Sequence, residues 1–121
     1  MELKTYQQQT LKDLRLYIDT LNRSNSLSAA YYTYWADKGI SVNNVGGNLH
    51  PYVNSVAGVP RVTLKVPTAG GKTFIACNAI KTVMDNLLAE NLNKVVAWFV
   101  PSDTILKQTL EKLQDANHPY R

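Results

Sequence analysis

Cysteine is nearly absent. Cys77 stands alone in 121 residues, so neither an internal disulfide nor a multi-cysteine metal site can form within the chain. A reducing, cytoplasmic setting is the expectation. Long apolar runs are missing too. The longest, VVAWFV at 95–100, falls far short of the roughly 18 residues that cross a bilayer and has the length of a buried strand. No membrane partner is expected. The opening MELKTYQQQTLKD lacks the apolar core of a signal peptide. Charge of neither sign is gathered in a block: 13 basic against 9 acidic residues leave +4. That balance is compatible with a phosphate-bearing partner without demanding one. Nor do two carboxylates adjoin anywhere.

What is present is an ordinary globular composition, 45% hydrophobic, in a chain of about one domain. Leu11, Leu14, Tyr17, Ile18 and Leu21 recur at helical spacing, predicting a helix from about Thr5 to Arg23 with one buried stripe. Ser26 is a candidate N-cap for a second helix over Leu27–Lys38, stopped by Gly39. Tyr31, Tyr34 and Trp35 share a helical spacing there. Core packing explains them better than a surface for stacking bases. Residues 40–60 are rich in Gly, Asn and Pro and predict a long loop with a short extended piece near Val42. Arg61–Val66 predicts a strand, Gly71–Ala89 a helix, and Lys94–Val100 a strand buried on both faces. Ser102 or Asp103 can cap a last helix reaching about Gln114.

The segment VTLKVPTAGGKTFIACNAI, residues 62–80, carries the chemistry. A phosphate needs donors without bulk. Gly70 and Gly71, lacking Cβ atoms, let backbone N–H groups approach its oxygens. A helix starting there turns its unsatisfied N–H groups and the positive end of its dipole on the same point. Lys72 would reach the β- and γ-phosphates, and the Thr73 hydroxyl would join the shell of a Mg²⁺ ion. Thr68 and Ala69 complete the loop. The strict pattern wants glycine where Val66 stands, and the plain alternative is a strand–turn–helix with an exposed lysine.

Three segments together resemble one family. PTAGGKT (67–73) resembles motif I of superfamily 2 helicases. LKTYQQQTL (3–11) resembles the upstream glutamine motif of the type III restriction enzyme Res subunit and related DEAD/DEAH proteins. VVAWFVPSDTILKQTLEKL (95–113) resembles their motif Ia. The resemblance implies an α/β fold: part of a P-loop, RecA-like domain, with two N-terminal helices followed by a β-α-β-α unit. It implies a single, incomplete ATP-binding domain over 1–121, divided into a helical region (1–39), a loop (40–60) and the P-loop unit (61–121). It also implies ATP and Mg²⁺ as cofactors, DNA as partner, and a DNA methyltransferase subunit as a further one.

By position, the resemblance makes Lys72 the catalytic residue and Gln7 the reader of adenine's edge, with Tyr6 flanking the base. Gln8 and Gln9 leave that register open by a residue or two, and an exposed glutamine in a first helical turn is the bland alternative. Ser102 is implied as a DNA-phosphate contact, and a simple N-cap explains it equally well. Cys77 reads as a small buried hydrophobe. His50 and His118 have no second ligand nearby in sequence.

Hydrolysing ATP takes more than a cradle: an acid on Mg²⁺, a group positioning water, and usually an arginine finger. With no adjoining carboxylates, the expectation is an N-terminal piece of an ATP-dependent helicase or translocase that binds nucleotide weakly at best and does not cleave it. A non-catalytic interaction module and a different P-loop nucleotide enzyme are the alternatives.

Overall fold

The computed structural model describes residues 2–42, 49–67, 71–88 and 94–117. Within them lie four helices: α1 (Thr5–Arg23), α2 (Leu27–Asp37), α3 (Lys72–Asn86) and α4 (Asp103–Gln114). Local signals account for their limits. The Ser26 hydroxyl accepts from the Ala29 N–H, and the Ser102 hydroxyl accepts from the Ile105 N–H. Each satisfies a donor that the first turn leaves orphaned. Gly39, at φ 71°, turns the chain out of α2.

α1 is the hub, packing against both α2 and α3. Its stripe buries Leu14, Tyr17 and Ile18, while α3 contributes Phe74 and Ile75 and α2 contributes Ala30. Ile75 is 2% exposed, and burial of that kind contributes about 1.5–3 kcal/mol. Tyr17 meets Tyr34 edge-on, ring centroids 5.2 Å apart, joining α1 to α2.

α1 and α3 run parallel, and α1 holds α3 at both ends. Gln7 lies against Gly71 at the start of α3. Fifteen residues along each helix, the Asn22 side chain donates to the Asn86 carbonyl at 2.8 Å and accepts from the Leu88 N–H at 3.1 Å. Fifteen residues of helix span roughly 22 Å, so the two helices keep step from end to end.

The expected β-α-β-α unit is not there. Among the described residues there is no strand or sheet, and the only ladder element is an isolated parallel bridge between Val42 and Leu49. Residues 61–67 and 94–100 run without a ladder partner. The run read as a strand buried on both faces is open instead: Phe99 is 92% exposed and Val95 81%. The physical reason is that a strand satisfies its amides only through a neighbour. Apolar, β-branched residues advertise such a strand but do not supply the neighbour. The fold of the described residues is therefore helical, not α/β. The predicted helix over 71–89 is also shorter, ending at Asn86 with its cap at Leu87.

Candidate phosphate-binding site

Gly71 is the N-cap of α3 and sits at φ 71°, ψ 43°, the left-handed region. Side chains with a Cβ rarely adopt it. A second constraint falls on the same residue, because a Cβ built at Gly71 would stand 2.6 Å from Gln7 Nε2. Gln7 is 5% exposed, although it belongs to the first turn of α1. Its Oε1 accepts from the Lys4 N–H at 2.8 Å, so the amide is held by the backbone at the helix start. The reading of Gln7 as an exposed glutamine is thus overturned. Gln8 and Gln9 are exposed and bond elsewhere, to the Leu3 carbonyl and the Asp13 carboxylate, so of the three it is Gln7 that lies against Gly71.

Lys72 is exposed at the first position of α3, and Thr73, next along, is half-buried. No acidic side chain stands in the first turn of α3 to oppose an anion there. Gln7, Gly71, Lys72 and Thr73 therefore surround one helix N-terminus. Tyr6 lies next to Gln7 with its ring partly exposed, and its carbonyl accepts from the Thr10 hydroxyl. Thr68, Ala69 and Gly70 lie outside the described residues.

Ser102 caps α4, outside the α1–α3 pairing that brings Gln7 to Gly71. Cys77 is half-buried on α3, where burial pushes its thiol pKa up, away from the reactive thiolate. The His50 carbonyl accepts from the Tyr31 hydroxyl at 2.7 Å, and His118 lies outside the described residues. Among the described residues no three His, Cys, Asp or Glu side chains converge as a metal site. None of their helices is long and apolar enough to cross a membrane. Asn22 carried no motif in the sequence; only the folded pairing of α1 with α3 gives it a role.

No curated protein and no solved structure matches the chain. The family model for the res subunit of type III restriction enzymes matches residues 1–121. The match covers the glutamine segment, the glycine loop and α4 in one alignment. The chain therefore belongs to the type III restriction enzyme res subunit family, an ATP-dependent, helicase-like family.

Proposed function

We propose that this chain is the ATP-binding N-terminal part of a helicase or translocase that acts on DNA, with Gln7 and the 68–73 loop as its nucleotide site. The observation that carries this reading is the seating of Gln7 Nε2 against Gly71 at the N-terminus of α3. An amide offers a donor and an acceptor, the pair that adenine's edge requires. The α3 N-terminus offers N–H groups to phosphate. A Cβ-free residue between the two allows one nucleotide to touch both.

In this reading Thr68, Ala69, Gly70 and Gly71 present backbone N–H groups to the phosphates. Lys72 places its charge on the β- and γ-phosphates, and Tyr6 flanks the base. Thr73 fits Mg²⁺ in kind, since a hard cation takes oxygen ligands. The ion would neutralise charge on the phosphates. Ser102 keeps its place as a DNA-phosphate contact beside its capping bond, since its oxygen accepts from Ile105 while the hydroxyl proton stays available to donate. The 121 residues bind ATP weakly at best and do not hydrolyse it, because no adjoining carboxylates supply the acid that holds Mg²⁺ and positions water. A methyltransferase subunit is the further partner proposed for the intact enzyme.

Titration with Mg-ATP followed by amide NMR tests the binding half. Shifts should centre on Gly71–Thr73 and on the Gln7 side-chain amide, and Lys72→Ala should remove them. Silence at millimolar nucleotide sinks the reading. ATPase activity of the purified chain that Lys72→Ala abolishes refutes the catalytic half.

A further inference from the structure

A cavity of about 670 Å³ lies between α1, α2 and the segments 49–53 and 61–65. Neither Gln7 nor Gly71, Lys72 or Thr73 lines it. Its walls are aromatic: Tyr17 from α1, Tyr31, Tyr34 and Trp35 from α2, and Tyr52 from the returning chain. The volume is in the range of small-molecule sites.

Two of the four phenols are hydrogen-bonded: Tyr31 donates to the His50 carbonyl, and Tyr52 accepts from the Arg61 N–H at 3.4 Å. Tyr17 is different. Its residue is 7% exposed, and its hydroxyl is buried with no hydrogen-bond partner. A buried hydroxyl left unpaired is costly and rare in a folded protein. Burial raises its pKa to about 12, with the Tyr52, Tyr31 and Tyr34 phenols adding to the effect. It therefore keeps its proton and can donate, so an occupant must bring an acceptor.

The charges select among occupants. Arg61 and Lys65 line the cavity; its one acid, Asp13, is paired with Lys38 at 2.9 Å. Lys38 also lies over the Tyr34 ring, 5.1 Å from its centroid. A cationic ligand would meet a positive rim, whereas a flat ring bearing an acceptor and a negative group finds stacking faces, a donor and bases.

We propose that this cavity is a nucleotide-unit site separate from the phosphate loop: a nucleobase enters among Tyr31, Tyr34, Trp35 and Tyr52, accepts a hydrogen bond from Tyr17, and leaves its phosphate to Arg61 and Lys65. The same chemistry is carried by a free mononucleotide and by a unit of a single strand.

The chain has two tryptophans, Trp35 and Trp98, so Trp98→Phe leaves Trp35 as the only indole reporter. In that background, thymidine monophosphate and a short oligo(dT) are titrated separately while Trp35 emission is followed. Thymine presents carbonyl acceptors and is not the base assigned to Gln7. Quenching by the mononucleotide identifies a free-nucleotide site; quenching by the oligomer alone identifies a strand site. Either supports the proposal when Tyr17→Phe weakens binding roughly three- to tenfold and Lys72→Ala leaves it unchanged. Tyr17→Phe keeps the ring, so the folded background survives the change. No quenching by either probe overturns the proposal. So does binding that Tyr17→Phe leaves intact, or binding lost with Lys72, which would return the ligand to the phosphate loop.

Discussion

Gln7 Nε2 stands 2.6 Å from the point where a Cβ on Gly71 would lie, and Gly71 is itself left-handed at φ 71°. Two constraints of different origin thus coincide on one residue. Gly71→Ala should cost about 1–2 kcal/mol from the backbone conformation alone, and it must also displace the Gln7 amide. Urea denaturation of Gly71→Ala, Gln7→Ala and the double variant separates the two. The double variant should be less destabilised than the sum of the singles, because removing Gln7 relieves the steric part only. Strict additivity would show that the two residues do not compete for space.

Asn22 clamps the far end of the same helix pair. Its side chain satisfies both the Asn86 carbonyl and the Leu88 N–H as α3 ends. Asn22→Ala should destabilise by about 1–3 kcal/mol, the range for leaving partly buried polar groups unsatisfied. Asn22→Asp keeps the acceptor for Leu88 but loses the donor to Asn86, and should fall between. Hydrogen exchange at the Leu88 amide reports the loss locally: faster in Asn22→Ala, and close to the parent rate in Asn22→Asp.

Much of this arrangement was written locally. The apolar stripe Leu14–Tyr17–Ile18, the Ser26 and Ser102 caps and the stop at Gly39 each act within a few residues. The starts of α2 and α4 and the end of α2 could therefore be read from neighbours in sequence, whereas the end of α3 at Asn86 could not. The start of α3 was readable for the same reason, since Gly71 caps it where the motif places a helix. What could not be read depends on distant partners. Asn22 meets Asn86 across 64 residues, and nothing in its own neighbourhood marks it. Phe74 is 6% exposed on α3, the helix that packs against α1 from a distant part of the sequence. The strands failed on the same ground: Arg61–Val66 and Lys94–Val100 have strand composition, yet pairing is a property of two segments, not one.

Tyr17 makes stability depend on alkaline pH. Its folded pKa is raised to about 12 from the ordinary 10.0, mainly by burial, so the folded state holds the proton more tightly than the unfolded chain. Below the unfolded value both states are protonated and nothing is lost. As pH rises from about 10 towards 12, only the unfolded state releases the proton, and stability falls by up to ~1.4 kcal/mol per pH unit. Tyr17→Phe should flatten that part of the profile. It should also raise stability at neutral pH, because it removes a buried hydroxyl that has no partner. Chemical denaturation from pH 7 to pH 11 checks both effects, and a variant less stable than the parent at neutral pH would count against the unpaired hydroxyl.

Phe99 distinguishes the helical arrangement from the α/β fold that its sequence suggests. It is 92% exposed, in a segment with no ladder partner. In a strand buried on both faces, Phe99→Ala would cost about 3–5 kcal/mol through lost transfer energy and the cavity left behind. In the structure described here the ring leaves no cavity, and the change should stay within about 0.5 kcal/mol. Ile75→Ala is the matched control: at 2% exposure on α3, the helix that packs against α1, it should lose about 2–5 kcal/mol. Urea midpoints of the two variants, measured side by side on the same chain, give the comparison. A large loss at Phe99 would mean that residues 94–100 are covered in solution, and the strand reading of that segment would return.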